Sequence, residues 1–240
     1  MDYETQTRSA YRTEQRAIAY QCRQTRRWSW ARLATWREQR GVARILGKRA
    51  WAPADDVLDI PCGAGILGAV LARFPFRVVA SDISPAMMAL ARGAYAADRF
   101  RGFVQADITD TPLRPGSFRC VITLGFMHRV PDELKRATLA EIATLSRELV
   151  IVSYSVDSPL QRLKRALLGF LCRSYESAPC SASVADILGD CRAAGLHMLE
   201  WYRPVPFLSA EVVLELEKTA GCAARPSRPP AAGTWEGASP

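Results

Sequence analysis

Three glycines and two aspartates between residues 59 and 82 have the types and spacing that most clearly indicate chemistry. Gly63, Gly65 and Gly68 fit the pattern G-x-G-x-x-G, and Asp82 follows at the distance of about 20 residues that this pattern requires. Glycines in such a turn let a ligand lie against the main chain. An acid at the end of the next strand can accept hydrogen bonds from a ribose. The segment therefore predicts a nucleotide site.

The position of Asp59 bears on which ligand the turn binds. Asp59 precedes the glycines and Asp82 follows them, so an acid stands on each side of the turn. A nicotinamide dinucleotide satisfies the glycine pattern. A ligand with both an ammonium group and a ribose makes fuller use of two acids, and S-adenosylmethionine is such a ligand. A glycine turn that binds nothing is the third interpretation.

Apolar runs and helical patterns must position these residues. Val57 to Ile60 is an apolar run before the glycines, residues 69–72 continue as a helix, and the apolar run from Phe76 to Ala80 leads to Asp82. This is the pattern of a strand, a turn, a helix and a parallel strand. Ligands of such sheets bind outside the carboxyl ends of the strands. The glycine turn is expected at that edge.

The alternation continues along the chain and predicts an α/β fold. A helix begins at Ser84-Pro85 and runs to Ala97, and two more helices cover residues 133–145 and 183–194, the last one closed by Gly195. The last two strands read as an antiparallel pair. The predicted strands after Asp82 are 100–105, 118–124, 148–154, 196–203 and 211–217.

Two segments carry a family resemblance. Val57-Leu-Asp-Ile-Pro-Cys-Gly-Ala-Gly65 and Ala80-Ser-Asp-Ile-Ser-Pro-Ala-Met-Met88 resemble the first two motifs of class I S-adenosylmethionine-dependent methyltransferases, especially the group related to ubiquinone and menaquinone biosynthesis. The resemblance implies a Rossmann-like, doubly wound sheet of seven strands, mostly parallel with a C-terminal antiparallel strand. It also implies a helical N-terminal cap over residues 1–50 and a methyltransferase domain over residues 51–219.

The resemblance extends to two later segments. Ala106-Asp107-Ile108 is similar to the third motif, whose acid holds the adenine amino group, and the alternative role for Asp107 is a turn cap. Gly125-Phe-Met-His128-Arg-Val-Pro131 is similar to an L-x-H-H-x-P segment beside the transferable methyl group. His128 is placed to act as a base or to orient the next loop. Arg119 occupies a place where many relatives have an aspartate.

The resemblance thus assigns a cofactor site and a reaction. The implied reaction is an in-line methyl transfer from S-adenosylmethionine, with His128 as the candidate catalytic residue and no metal site. Tyr20 and Tyr154 are weaker candidates for lining the pocket. The implied cofactor-binding residues are Asp59, Pro61, Cys62, Gly63, Gly65, Asp82, Ile83, Met87, Asp107, Ile108 and Leu124.

Charge and apolar patterning indicate the partners. The net charge of +8 resides in residues 1–50, and the rest of the chain is balanced. An anionic partner would therefore bind that arm, where the resemblance implies that Arg26 or Arg27 meets the cofactor's carboxylate. No nucleic-acid-binding signature accompanies these arginines, so no nucleic acid is expected. Residues 159–173 read as an amphipathic helix that covers the acceptor pocket, packs on the domain, or contacts a membrane surface.

Composition places the protein in the cytoplasm. No run reaches the roughly 20 apolar residues of a membrane span, and the chain opens without a secretory signal. The 7 cysteines read as reduced thiols, and 2 histidines make a structural zinc site improbable. Residues 220–240 have the composition of a disordered tail. The acceptor is a small molecule, a lipid-linked molecule or a glycan, the oligomeric state is open, and the alternatives are a nicotinamide-dependent oxidoreductase and a non-catalytic cofactor-binding subunit.

Overall fold

The computed structural model describes residues 30–157, 180–203 and 210–219. The expectations for Tyr20, for Arg26 and Arg27, for the helix over residues 159–173 and for the tail over residues 220–240 lie outside these ranges. Among the described helices, none combines the length and apolar character needed to cross a membrane.

Seven strands and five α-helices make up the described chain, close to the bounds that the sequence predicts. The helices are α1 (Trp30–Gly47), α2 (Gly68–Leu71), α3 (Pro85–Ala91), α4 (Asp132–Leu145) and α5 (Val184–Ala193), with a 3-10 helix at Met127–Arg129. The strands are β1 (Asp56–Asp59), β2 (Arg77–Asp82), β3 (Phe100–Gln105), β4 (Phe118–Thr123), β5 (Ser146–Ser155), β6 (Leu196–Tyr202) and β7 (Glu211–Lys218).

The strands form one sheet in the order β3-β2-β1-β4-β5-β7-β6. Neighbours among β1 to β5 are parallel, whereas β7 is antiparallel to both β5 and β6. The predicted Rossmann-like sheet with its antiparallel C-terminal strand is confirmed. The strand order reverses at β1, between β2 and β4, and the crevice at such a switch point is where doubly wound sheets bind ligands.

Apolar side chains alternate between the two faces of the sheet and build two halves of the core. On one face, Leu58 and Val121 belong to a cluster that α4 and α5 cover. On the other face, Val57 and Cys120 pack with residues of α1 and α2. α1 supplies Val42, Ile45 and Leu46 to this second cluster, and all three are buried.

α3 ends earlier than the sequence predicts. The pattern indicates a helix to Ala97, but the helix ends at Ala91 and Gly93 adopts a φ of 81°. The following segment turns back onto the glycine turn: a Cβ at Gly68 would lie 2.1 Å from the carbonyl oxygen of Ala94. Tertiary packing therefore overrides the local helical preference here.

Arg119 has a structural role at the amino ends of the strands. Its guanidinium donates to Asp55 Oδ2 at 2.8 Å and to Glu148 Oε2 at 2.8 Å. It also lies over the ring of Trp51 at 4.9 Å and donates to the carbonyl of Ala50. The departure from the aspartate of many relatives thus creates an ion-pair network at the edge opposite the crevice.

Candidate active site

The glycine turn after β1 is open on one side and packed on the other. Gly63 and Gly65 have φ values of 52° and 74°, in the left-handed region that favours glycine. A Cβ at Gly63 would meet nothing within 4 Å, whereas a Cβ at Gly65 would lie 2.6 Å from the Cβ of Ala94. The turn therefore presents the backbone at Gly63 to free space and is supported from behind at Gly65.

Asp82 connects the end of β2 to this turn. Its Oδ2 accepts the backbone N–H of Gly63 at 2.9 Å, and its Oδ1 accepts the N–H of Ser84 at 2.9 Å. Burial raises the pKa of Asp82, and the hydrogen bonds from backbone amides oppose that rise. Each carboxylate oxygen can accept more than one hydrogen bond, so Asp82 can hold the turn and still accept from a ligand's hydroxyl groups.

Asp59 lies beneath the turn. Its side chain is buried, with only 2% of the residue exposed, and its Oδ2 accepts the hydroxyl of Tyr95 at 2.7 Å. Burial raises the pKa of Asp59 to about 7, the Tyr95 hydrogen bond opposes that rise, and the charge of Asp82 adds to it. The sequence motifs do not include Tyr95, because its partner Asp59 lies 36 residues away on β1. Direct contact between Asp59 and a ligand stays a prediction.

The remaining predicted positions lie at the carboxyl ends of β1 to β4. Asp82 pairs with Gln105 in the sheet, so Asp107 follows directly at that edge. Asp107 Oδ1 accepts from both the N–H and the hydroxyl of Thr109, which makes it a turn cap and leaves its adenine contact a prediction. Ile83 accepts the Gln105 side chain at its carbonyl. Cys62, Met87, Ile108 and Leu124 are buried, and Pro61 is half-buried.

α1 contacts the glycine turn and carries a buried carboxyl group. The Gln39 side chain donates to the carbonyl of Ile66 in the glycine turn at 2.5 Å. The adjacent Glu38 is 7% exposed, and its Oε1 has no hydrogen-bond partner in the described chain. Burial and the charge of Glu211 raise the pKa of Glu38 to about 8, against the opposing charge of Arg129. Glu38 is the single acid among four arginines in α1, and this contrast is a sequence signal for the site that the motifs do not include.

His128 lies on the 3-10 helix that follows β4. Its Nε2 accepts a hydrogen bond from Arg129 Nε at 3.3 Å. Burial lowers the pKa of His128 to about 4, and the charges of Arg129 and Lys135 add to this effect. The imidazole is therefore neutral at pH 7 and a weak base. Tyr154, considered for lining the pocket, is instead buried in the cluster beneath α4 and α5.

These groups can hold a ligand with adjacent hydroxyls and apolar parts. The open backbone at Gly63 lies beside Asp82, and the apolar side chains of Ile83 and Leu124 follow the ends of β2 and β4. This part of the site suits a nucleoside, while His128 and Glu38 supply ionisable groups on the 3-10 helix and on α1.

Sequence comparison finds similar proteins for the middle of the chain. Residues 57–148 match the model of a family described as a methyltransferase domain. A demethylmenaquinone methyltransferase of Clavibacter sepedonicus is 33% identical over 123 residues, which cover 50% of this chain and 50% of that protein. A ubiquinone biosynthesis O-methyltransferase of Xanthomonas campestris pv. campestris is 33% identical over 92 residues, 36% of this chain and 37% of that protein. The chain thus spans half or less of the length of these curated relatives.

Structure comparison extends the likeness beyond the matched segment. The crystal structure of magnesium protoporphyrin IX methyltransferase from Synechocystis PCC 6803 with bound SAH has a TM-score of 0.72. It is 20% identical and covers 91% of this chain and 100% of that chain. The two proteins share a fold over nearly all of this chain.

Proposed function

We propose that this protein, whose residues 57–148 match a methyltransferase-domain family, is a class I enzyme that transfers a methyl group from S-adenosylmethionine to a small-molecule acceptor. The observation that carries the proposal is the hydrogen bond from the Gly63 N–H to Asp82, beside the free space above Gly63. A carboxylate fixed at that point suits a ribose. The nicotinamide alternative shares the glycine pattern, but the family match favours a methyltransferase.

The chain's own residues supply binding and positioning. We assign the ribose hydroxyls to Asp82, the amino-acid end of the cofactor to Asp59, Pro61, Cys62 and the glycine turn, and the adenine to Asp107 and Ile108. Ile83, Met87 and Leu124 supply apolar contact. The bound cofactor supplies an electrophilic methyl group on a sulfonium. The protein then accelerates transfer by holding the acceptor in line with that methyl group and by excluding water.

The family resemblance makes His128 a candidate base, with orientation of the next loop as the alternative role. Its place after β4 supports this assignment, whereas a pKa of about 4 makes it a poor match for a reaction near pH 7. A positioning role through the hydrogen bond from Arg129 suits its geometry better. Replacement of His128 would separate these two roles by its effect on the pH profile.

The relatives suggest the class of acceptor. The names of the two relatives, a demethylmenaquinone methyltransferase and a ubiquinone biosynthesis O-methyltransferase, support a hydroquinone-like aromatic acceptor as the first to test. We also propose a cytoplasmic location, with residues 1–50 as a cap on a domain over residues 51–219. All four cysteines in the described chain are free, which suits a reducing compartment.

Calorimetry with S-adenosylhomocysteine (SAH) and with NAD tests the cofactor assignment. We expect SAH to bind with a Kd on the order of micromolar, a common range for enzyme ligands, and NAD not to bind. Methyl transfer from tritiated S-adenosylmethionine to the acceptor then distinguishes an enzyme from a non-catalytic binding subunit. Binding of NAD without binding of SAH would contradict the proposal.

A further inference from the structure

We propose that Glu38 on α1 binds a hydroxyl group of the methyl acceptor and takes its proton during transfer, so that the reaction is an O-methylation. This inference rests on the proposed function and names the acceptor's reacting group. Glu38 belongs to none of the sequence motifs. It also lies outside the matched segment, which begins at residue 57.

The position of Glu38 follows from the contact of its neighbour Gln39 and from the charged groups that act on it. Its neighbour Gln39 donates to the carbonyl of Ile66 in the glycine turn. Glu211, whose charge acts on Glu38, begins β7 and pairs with Ser155 at the carboxyl end of β5. Arg129, which also acts on Glu38, closes the 3-10 helix after β4. Glu38 therefore lies between the ends of β4 and β5, next to the proposed cofactor turn.

The carboxyl group of Glu38 has an unmet hydrogen-bonding capacity. The residue is more than nine-tenths buried, yet its Oε1 has no hydrogen-bond partner in the described part of the chain. Buried polar atoms in native proteins are nearly always paired, and an exception calls for an explanation such as a catalytic role. A hydroxyl group of the acceptor would supply the partner.

The charged groups around Glu38 influence its pKa and so its strength as a base. Glu211 faces it from β7 and Arg129 from the 3-10 helix, while α2, which also packs on α1, carries no ionisable side chain. Burial and Glu211 raise its pKa to about 8, close to the pH at which a general base works best. His128, with a pKa of about 4, is a much weaker base.

The proposed step balances as follows. The acceptor's O–H bond breaks and its proton moves to Glu38 Oε1. The oxygen's electron pair forms the new O–CH3 bond, while the bond between the methyl carbon and the cofactor's sulfur breaks and leaves its electron pair on sulfur. The proton on Glu38 is later released to water. No oxidant or reductant is required.

The test compares Glu38→Gln and Glu38→Asp with a matched control, Glu133→Gln. Glu133 is an exposed carboxylate on α4. Transfer from tritiated S-adenosylmethionine to catechol and to 1,4-naphthohydroquinone is measured anaerobically from pH 6 to pH 9, with SAH affinity and melting temperature measured in parallel. The aspartate variant keeps a shorter carboxyl group and carries the test if the amide variant does not fold.

We expect kcat/KM of the wild type and of the control to rise with pH and to level near pH 8. Glu38→Gln should lower kcat/KM by about 100-fold or more, the typical contribution of a general base, and abolish the inflection, with SAH affinity unchanged. The kcat/KM of Glu38→Asp should lie between that of the wild type and that of Glu38→Gln. An unchanged rate in Glu38→Gln, or a wild type that binds SAH and methylates neither hydroxyl probe, would overturn the inference. A wild type that does not bind SAH would instead contradict the proposed function.

Discussion

The hydroxyl of Tyr95 donates to Asp59 Oδ2 at 2.7 Å and joins the segment after α3 to the carboxyl end of β1. The Tyr95 ring stacks on Phe100 with their centroids 4.9 Å apart. Both partners of the hydrogen bond are buried. The same segment packs behind Gly65 and Gly68, so this one hydrogen bond supports the glycine turn from below.

Tyr95→Phe should destabilise the protein. The substitution removes the donor and leaves a buried carboxyl oxygen unpaired, which costs about 1–3 kcal/mol. The melting temperature should therefore fall by several degrees. Tyr202→Phe is a matched control, because Tyr202 is half-buried and packs its ring against Gly41. Equal melting temperatures for the two variants would show that the Tyr95 hydroxyl contributes no stability.

Asp82→Ala should abolish most SAH binding. The substitution removes the acceptor of the Gly63 and Ser84 N–H groups together with the proposed ribose acceptor. We expect SAH affinity in calorimetry to fall by about 100-fold, which corresponds to roughly 2.7 kcal/mol. Asp98→Ala, at an exposed acid before β3, is the control. An unchanged affinity in Asp82→Ala would refute the site assignment.

Gly63→Ala should mainly weaken SAH binding, whereas Gly68→Ala should mainly destabilise the fold. A methyl group at Gly63 enters open space, so it should obstruct SAH while its strained φ costs only about 1–2 kcal/mol. A methyl group at Gly68 meets the carbonyl of Ala94 at 2.1 Å and should mainly destabilise the fold. Melting curves and SAH titrations of both variants check this. Normal SAH affinity in Gly63→Ala would place the cofactor elsewhere.

Stability should decrease as the pH rises from about 5 to 8. The pKa of Asp59 is raised from 3.8 to about 7 and that of Glu38 from 4.5 to about 8. Between the unfolded and folded pKa values the folded chain keeps a proton that the unfolded chain releases, so the free energy of unfolding falls with rising pH. Each group contributes at most about 1.4 kcal/mol per pH unit. The lowered pKa of His128 opposes this fall below about pH 6.5, because there the unfolded chain holds a proton that the folded chain lacks, but the two raised carboxyl groups outweigh it.

Asp59→Asn isolates one part of this slope. Asparagine keeps an acceptor for Tyr95 and cannot ionise, so its unfolding free energy should depend less on pH between 5 and 7 than that of the wild type. Urea unfolding at pH 5, 6 and 7 measures the difference. Parallel pH dependences in the two proteins would mean that Asp59 titrates normally.

Arg119→Ala should affect stability and leave binding intact. The substitution breaks ion pairs with Asp55 and Glu148 at the amino ends of the strands. Because these groups are partly exposed, we expect a loss of about 1 kcal/mol in urea unfolding. Arg136→Ala, which removes an exposed pair with Glu133 on α4, should cost less. Weaker SAH binding by Arg119→Ala would contradict a purely structural role.

Local patterns were sufficient to predict the sheet and the turn. The apolar runs of β1, β2, β4 and β5 form largely buried strands and that of β3 forms a partly exposed one, and local apolar patterning was enough to predict all five. The positive φ values at Gly63 and Gly65 require residues without a Cβ, so the turn is also visible in the sequence. Asp82 followed from its place at the end of β2.

Long-range contacts could not be predicted in the same way. Tyr95 meets a partner 36 residues away, and nothing in its own neighbourhood indicates a buried hydrogen bond. The early end of α3 follows from the approach of Ala94 to Gly68, which depends on tertiary packing. The proposed role of Glu38 as a base depends on its burial and on the charge of Glu211, which lies on β7.

α1 makes the borders of the family match a poor guide to the borders of the folding unit. The match begins at residue 57, but Val42, Ile45 and Leu46 fill the core from outside it. Lys48 and Arg49 also form ion pairs with Glu215 on the last strand. A shortened protein that begins at residue 57 would lack α1 and expose the apolar side chains that α1 covers on one face of the sheet. We expect this protein to aggregate when it is expressed alone.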